Sequence, residues 1–220
     1  LLGIHFKEAG VQLHLRDDIT EIREGERLEL TLASGRRLVS DVLVVGKGVT
    51  ANTGLAREAG LEVGDGVLVD DFCRTTHPDI YAAGDVAQGR DFVTGQKTVQ
   101  GNWMTAVEQG EHAALNMLGF ACPYEGSMKN NITEVFGLEV AVIGYCQDDA
   151  PRCVSSGNSF TRRFRKVFLD EEERMIGATL LGETNDAGVY YQMVRGRMKF
   201  PEHRFIQGEN RHAGIAQFFA

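Results

Sequence analysis

Proline is scarce in this 220-residue chain, at 4 residues, and tryptophan occurs once. No low-complexity segment or internal repeat is visible, so a repeat array or a disordered linker is excluded. The four cysteines, Cys73, Cys122, Cys146 and Cys153, are scattered and form no C-x-x-C pair. That spacing excludes a zinc ribbon and a thioredoxin-type motif; it is expected of buried, reduced thiols in a cytoplasmic protein. His203 and His212 are too far apart for a short-spaced metal pair, so no metal site is expected. Basic residues are outnumbered, with Lys+Arg 23 against Asp+Glu 31 and a net charge of -8. Without a run of five or six basic residues the chain has no electrostatic footprint for nucleic acid or an anionic membrane. No window approaches the roughly eighteen apolar residues of a membrane-spanning helix, and a soluble protein is expected. The chain opens on Leu1 rather than Met and has no basic leader before an apolar stretch, which reads as a cut inside a longer protein rather than a signal peptide.

What is present is an ordinary globular composition, 43% hydrophobic and 25% charged, with a surplus of glycine at 26 residues. Such a surplus marks places where backbone turns sharply or approaches a ligand closely. Alternation predicts strands at 11–15, 19–23, 28–32 and 37–39, joined by short turns into an antiparallel meander. The run Asp41-Val42-Leu43-Val44-Val45-Gly46 is continuous and apolar, the pattern of a strand buried on both faces. A brief helix over 53–59 is expected to stop at Gly60, and strands are expected at 67–69 and 80–82. Residues 100–119 carry the clearest helical pattern, with Trp103, Val107, Ala113, Ala114, Met117 and Leu118 approximating one apolar face. Beyond Pro123 the texture becomes α+β, with strands at 140–144, 159–169 and 175–181 and a helix at 186–198. The strand over 160–168 mixes Arg162, Arg163, Arg165 and Lys166 with phenylalanines, and predicts one solvated face. A domain boundary is placed near residue 120.

The stretch most charged with chemistry is Thr75-Thr76-His77-Pro78-Asp79-Ile80-Tyr81-Ala82-Ala83-Gly84-Asp85-Val86-Ala87. It delivers small residues and then a carboxylate to a strand end, where α/β sheets bind ligands; Gly84 permits close backbone approach and Asp85 can accept hydrogen bonds from sugar hydroxyls. A bare A-G-D would be read as a solvated turn. The whole stretch resembles the flavin-binding segment, T-x-x-P-x-I-Y-A-x-G-D-x-A, of the pyridine nucleotide-disulfide oxidoreductase superfamily. Upstream, Gly46-Lys47-Gly48-Val49-Thr50-Ala51-Asn52 resembles the G-x-G-x-x-P-N element that closes the NAD domain, with Ala51 where the family has proline. Downstream, Asn102-Trp103 through Ala114 resembles the W-x-x-A-x-x-Q-G-x-x-A-A helix of the ferredoxin, rubredoxin and nitrite reductase subgroup.

The resemblance implies an FAD/NAD(P)-binding, Rossmann-like α/β fold followed by a smaller α+β interface domain. Its divisions would be residues 1–48, the end of the NAD(P) domain; 49–120, the last segment of the FAD domain; and 121–220, the interface domain. It implies FAD and NAD(P)H as cofactors, with Gly84, Asp85 and Val86 toward the ribityl chain, Asn102 and Trp103 heading a helix at the flavin ring, and Gly46 and Gly48 in the connecting element. Trp103 by itself, without the neighbouring motif, reads as a core aromatic on an amphipathic helix. No residue need be a general acid or nucleophile, because the cofactor carries the redox chemistry. Partners implied are a second copy through the interface domain or an electron-carrier protein; Arg162, Arg163 and Arg165 are read as a solvated strand face or a dock for an acidic carrier. No G-x-G-x-x-G element occurs in the chain, so the family's two pyrophosphate fingerprints are missing, as is the region of its redox-active cysteines. The expectation is the C-terminal portion of an FAD-dependent NAD(P)H oxidoreductase, inactive alone. The rival is a folded, non-catalytic assembly module.

Overall fold

A computed structural model describes residues 2–158 and 161–201; His203, Arg204, Arg211 and His212 lie outside the described residues. The protein is mixed α/β and divides into two compact units, Leu2–Val49 and Thr50–Ala220.

The first unit opens with helix α1 (Leu2–Glu8), which the alternation reading did not foresee, and continues through residues 11–15 without the expected strand. Strands β1 (Ile19–Arg23), β2 (Leu28–Leu32) and β3 (Arg37–Ser40) form the predicted antiparallel meander, with Ile22 opposite Leu30 and Leu30 opposite Leu38. Among the described residues of this unit only Leu30 and Leu32 are buried. Polar ties supplement them: Asp17 accepts from the amide and hydroxyl of Ser34, Arg27 pairs with Asp41 at 2.6 Å, and Lys47 with Asp18 at 2.7 Å. The run over residues 41–46 departs from expectation. It forms no strand, and Val42, Val44 and Val45 are 70%, 85% and 73% exposed. A strand buried on both faces needs parallel neighbours and covering helices, and the described residues of this unit supply only the antiparallel meander.

The second unit begins with α2 (Gly54–Glu58), preceded by Thr53, whose side chain makes no capping bond, and followed by Gly60. Strand β4 (Val67–Leu68) pairs in parallel with β5 (Ala87–Arg90), which pairs antiparallel with β6 (Lys97–Val99). Helix α3 (Trp103–Met117) follows. Next comes a five-stranded antiparallel sheet of β7 (Asn130–Val135), β8 (Leu138–Gly144), β9 (Arg152–Asn158), β10 (Arg163–Leu169) and β11 (Met175–Leu181), in the order β7-β8-β11-β10-β9. Helix α4 (Ala187–Arg195) covers one face. Alternate residues of three central strands build the core there: Ala141 and Ile143, Val167 and Leu169, Ala178 and Leu180, against Tyr190, Met193 and Val194 of α4. At roughly 1.5–3 kcal/mol for each large side chain removed from water, this cluster is the chief source of stability in the described chain.

Strand β10 corrects the expected solvated basic face. Arg165 shares the inward parity of Val167 and Leu169 and is only 3% exposed. Its guanidinium donates to the carbonyls of Phe164, Leu181 and Glu183 and reaches the Asp186 carboxylate at 3.4 Å, so it fastens the loop that starts α4. Arg163 pairs with the Glu183 carboxylate at 2.5 Å. From the other side Glu139 accepts from the Thr184 hydroxyl and amide; these bonds hold its carboxyl below the usual carboxylate range. The cysteines also differ from the uniform burial expected of them: Cys73 is buried, Cys122 and Cys146 are half-buried, and Cys153 is exposed.

Two outcomes follow from this packing. Arg165→Met should lower unfolding free energy by about 3 kcal/mol, since it strands three carbonyls and the Asp186 carboxylate; denaturant titration checks it, and a loss under about 1 kcal/mol would contradict the fastening role. In hydrogen–deuterium exchange, the amides of Val44 and Val45 should exchange at near-intrinsic rates while those of β8, β10 and β11 are protected.

Candidate functional site

The stretch from Thr75 to Ala87 folds around its own turn. The Thr75 amide donates to the Ile80 carbonyl at 2.9 Å, and that of Ile80 to the His77 carbonyl at 3.1 Å. The strand expected at 80–82 is reduced to a single antiparallel bridge between Arg74 and Tyr81. Ala83 is fully extended, and Gly84 then reverses the chain at a φ of +78°, a left-handed conformation that a side chain would strain. A single 3-10 turn, Gly84–Val86, leads into β5.

Helix α3 lies against this turn. Asn102 is its N-cap, and the side-chain oxygen accepts from the Thr105 amide at 2.9 Å. Ala106 sits beneath Gly84, where an added Cβ would approach the alanine methyl to 3.4 Å. One turn on, Gln109, 2% exposed, accepts the Gly84 amide on its side-chain oxygen at 2.8 Å. The face α3 buries is therefore Thr105, Gln109, Ala113 and Asn116. Apart from Ala113, this reverses the expected orientation: Trp103 is 85% exposed, Val107 54%, Met117 60% and Leu118 74%. The apolar stripe points outward because the polar side chains have partners within the fold and the described residues offer nothing to cover the apolar ones. The core-aromatic reading of Trp103 is overturned.

Asp85 stands at the head of this arrangement, exposed, with no hydrogen-bond partner among the described residues. The backbone of Gly101 runs beside its carboxylate, so that a Cβ there would lie 3.4 Å from a carboxylate oxygen. The result is a free carboxylate in a slot kept open by glycine, beside a helix start, which suits a donor such as a sugar-chain hydroxyl. An open cleft of about 360 Å³ adjoins it, lined by Asp91, Gln100, Gly101, Asn102, Lys129 and Cys146 among others. Of the residues singled out from sequence, Gly84, Asp85, Val86, Asn102 and Trp103 are thus gathered at one end of α3. Gly46 and Gly48 belong to the first unit, where both are exposed and an added Cβ would meet nothing within 4 Å.

Sequence reasoning left Gln109, Gly101 and Ala106 without roles. Gln109 and Ala106 lie within the matched helix motif, so the signal was there; what assigns them is the contact with Gly84. Glu108, next to Gln109, points to another side. Its carboxylate accepts from Tyr124 at 2.9 Å and Arg195 at 3.2 Å, and Arg195 stacks 4.7 Å over the Phe92 ring. Burial, then the Glu108 carboxylate, pushes the Tyr124 phenol well above its ordinary range. Helix α3 thereby ties the 3-10 turn to the sheet-and-helix core through adjacent residues.

The family model described as pyridine nucleotide-disulphide oxidoreductase matches residues 2–110. Among solved structures, an NAD-dependent persulfide reductase from A. fulgidus is 25% identical with a TM-score of 0.82, covering 90% of this chain and 40% of its own. A ferredoxin reductase from Rhodopseudomonas palustris is 26% identical with a TM-score of 0.76, covering 85% of this chain and 46% of its own. Putidaredoxin reductase, in covalent complex with putidaredoxin, is 20% identical with a TM-score of 0.76, covering 89% of this chain and 46% of its own, a likeness of fold. The chain thus spans less than half the length of each of these relatives. Residues 2–110 thus belong to the pyridine nucleotide-disulphide oxidoreductase family, and most of the chain is similar in fold to these reductases.

Proposed function

We propose that this chain is the C-terminal portion of an FAD-dependent NAD(P)H oxidoreductase, with residues 49–120 closing the FAD domain and 121–220 forming the interface domain. The observation that carries the reading is the unpartnered Asp85 carboxylate in its glycine slot, held by the Gly84–Gln109 bond at the start of α3. The residues present fit one wall of a flavin site. Asp85 would accept hydroxyls of the ribityl chain, the Gly84–Val86 backbone would approach it, and Gly101 would leave it room. The Asn102 cap leaves the first amides of α3 pointing outward, where the helix dipole favours negative charge. Trp103, standing clear of the fold, would cover the ring.

FAD when bound supplies the hydride chemistry, passing electrons from NAD(P)H to an acceptor. This chain's own share is positioning. Gln109 fixes the backbone of the turn so that the Asp85 carboxylate is aimed before a ligand arrives. The chain carries no G-x-G-x-x-G, so the pyrophosphate grip comes from elsewhere in the parent protein. An electron-carrier protein is proposed as partner, a role that putidaredoxin has in its complex with the structurally similar reductase; the alternative partner is a second copy of the chain. The Arg162, Arg163 and Arg165 strand is not the dock, since Arg165 is buried and Arg163 is paired with Glu183.

The 220-residue chain incubated with FAD and NADH should be colourless after desalting. In the full-length gene product, Asp85→Ala should cut flavin retained through purification at least severalfold. Gln109→Leu should weaken FAD about tenfold, the worth of one buried hydrogen bond that aims the turn. Flavin stoichiometry is read from the visible absorbance of the released cofactor. Full retention in Asp85→Ala would refute the assigned role.

A further inference from the structure

The cleft that adjoins the 3-10 turn measures about 360 Å³, within the span of small-molecule sites, and each of its three walls is held by its own backbone ties. The first wall is the β5–β6 hairpin, whose loop is organised by Asp91. One carboxylate oxygen accepts from the amides of Val93 and Thr94 and from the Thr94 hydroxyl, at 3.0, 2.7 and 3.0 Å; the other accepts from the Gln100 side chain. The second wall is the segment leading into β7. Ser127 is zipped to the end of β5, its amide donating to the Arg90 carbonyl and its carbonyl accepting from the Phe92 amide, both at 2.8 Å. Two residues on, the Lys129 carbonyl accepts the Gly144 amide at 2.8 Å. The third wall is the end of β8. A Cβ on Gly144 would run into the Ile176 carbonyl oxygen, and one on Gly177 into that of Tyr145. Only glycines let β8 and β11 cross this closely, and Tyr145, Cys146 and Gln147 line the cleft just past the crossing.

These walls offer one positive charge and several unspent donors. Lys129 is exposed on the cleft, with no ion-pair partner among the described residues. The side-chain amides of Asn131 and Gln147 make no hydrogen bond within the described chain, and Asn102, whose side-chain oxygen caps α3, keeps its side-chain nitrogen free. Asp91 accepts nothing further, because its oxygens are taken by its own loop. The thiol of Cys146 is turned to the carbonyls of Ile143 and Ala178, at 3.1 and 3.3 Å, and presents no nucleophile. A ligand here therefore meets donors, and an acceptor with negative charge matches them. The amount of charge is limited. Lys129 is a single point charge, while Asp91 lines the same cleft and Asp85 stands across Gly101. A phosphate group, with more than one negative charge at neutral pH, would be under-compensated beside these two carboxylates.

We propose that this cleft binds a small hydrophilic monocarboxylate, a hydroxy or oxo acid whose carboxylate pairs with Lys129 and whose remaining oxygens take the free N–H groups of Asn102, Asn131 and Gln147. The site needs neither Asp85 nor Gln109, and so stands or falls apart from the flavin wall.

The test titrates the nitrogen-15-labelled 220-residue chain with lactate, with its neutral analogue lactamide and with inorganic phosphate, following amide resonances by NMR. Lactate should shift the side-chain amide signals of Asn102, Asn131 and Gln147 along saturable curves in the millimolar range, as suits a ligand of so few atoms. Lactamide keeps the shape and hydroxyl without the charge; it should bind about tenfold more weakly or worse, the worth of one charge-assisted contact. Phosphate should bind more weakly than lactate. Lys129→Met should lose lactate affinity by a similar factor with the resonances of β8 in place, since the backbone of Lys129, not its side chain, is tied to the sheet. No saturable shift at the three amides, equal affinity for lactate and lactamide, phosphate binding at least as tightly as lactate, or unchanged lactate affinity in folded Lys129→Met would each overturn the proposal. Should the variant fail to fold, the lactate and lactamide curves of the unmodified chain decide.

Discussion

The hydrogen bond from the Gly84 amide to the buried side chain of Gln109 is the constraint on which the second unit's site depends. Gly84 takes a left-handed conformation in mid-chain, and the extended Ala83 before it makes no helix cap for the turn it opens. Its amide would otherwise be a buried donor without a partner, at a cost of about 1–3 kcal/mol. Gln109 meets it, and the bond fixes which way α3 rolls. With the amide side chain turned inward, Thr105, Ala113 and Asn116 follow by helical spacing, and Trp103, Val107, Met117 and Leu118 face outward. The bonds of the Asn116 side chain to Cys122 and the Glu108 tie to Arg195 are settled by the same rotation.

A helix that buries its polar face inverts the ordinary amphipathic rule. The inversion is tolerable because each buried polar group is satisfied: Gln109 by Gly84, Asn116 by three carbonyls and one amide, and the Thr105 amide by the cap. The first unit shows the complementary case, where exposed valines keep the pattern of an inner strand while their own unit holds two buried leucines. In both places the sequence is written for more cover than the described residues provide, in accord with a chain spanning less than half the length of its structural relatives.

How far the sequence was legible follows from this. Local rules sufficed for three of the four strands expected in the meander, where alternation and short turns specify pairing, and for β11, whose bounds of 175 and 181 match the expected ones. The clustering of Gly84, Asp85 and Asn102 was legible in the family motif, whereas the helix expected over 100–119 starts only at Trp103, after the Asn102 cap. The roll of α3 was not legible, because hydrophobic periodicity assumes that apolar means inward, and here hydrogen bonds to Gly84 and Cys122 decide. Arg165 was misread for a related reason: its inward parity with Val167 is visible, but the three carbonyls that make burial acceptable come from β10, β11 and the loop after it. Strands β7 and β9 were missed since their mostly exposed, polar residues carry little alternation. Gln109 had no signal beyond the motif.

The antiparallel sheet with α4 has consequences for synthesis. Its core closes only when α4, near residue 195, has left the ribosome, after every other described element except the last short stretch. The sparsely buried meander, the bare valines and the apolar side of α3 all emerge earlier. Order of appearance thus runs opposite to order of cohesion. Along residues 2–195, apolar surface is therefore shown before the core that holds the described chain together can close.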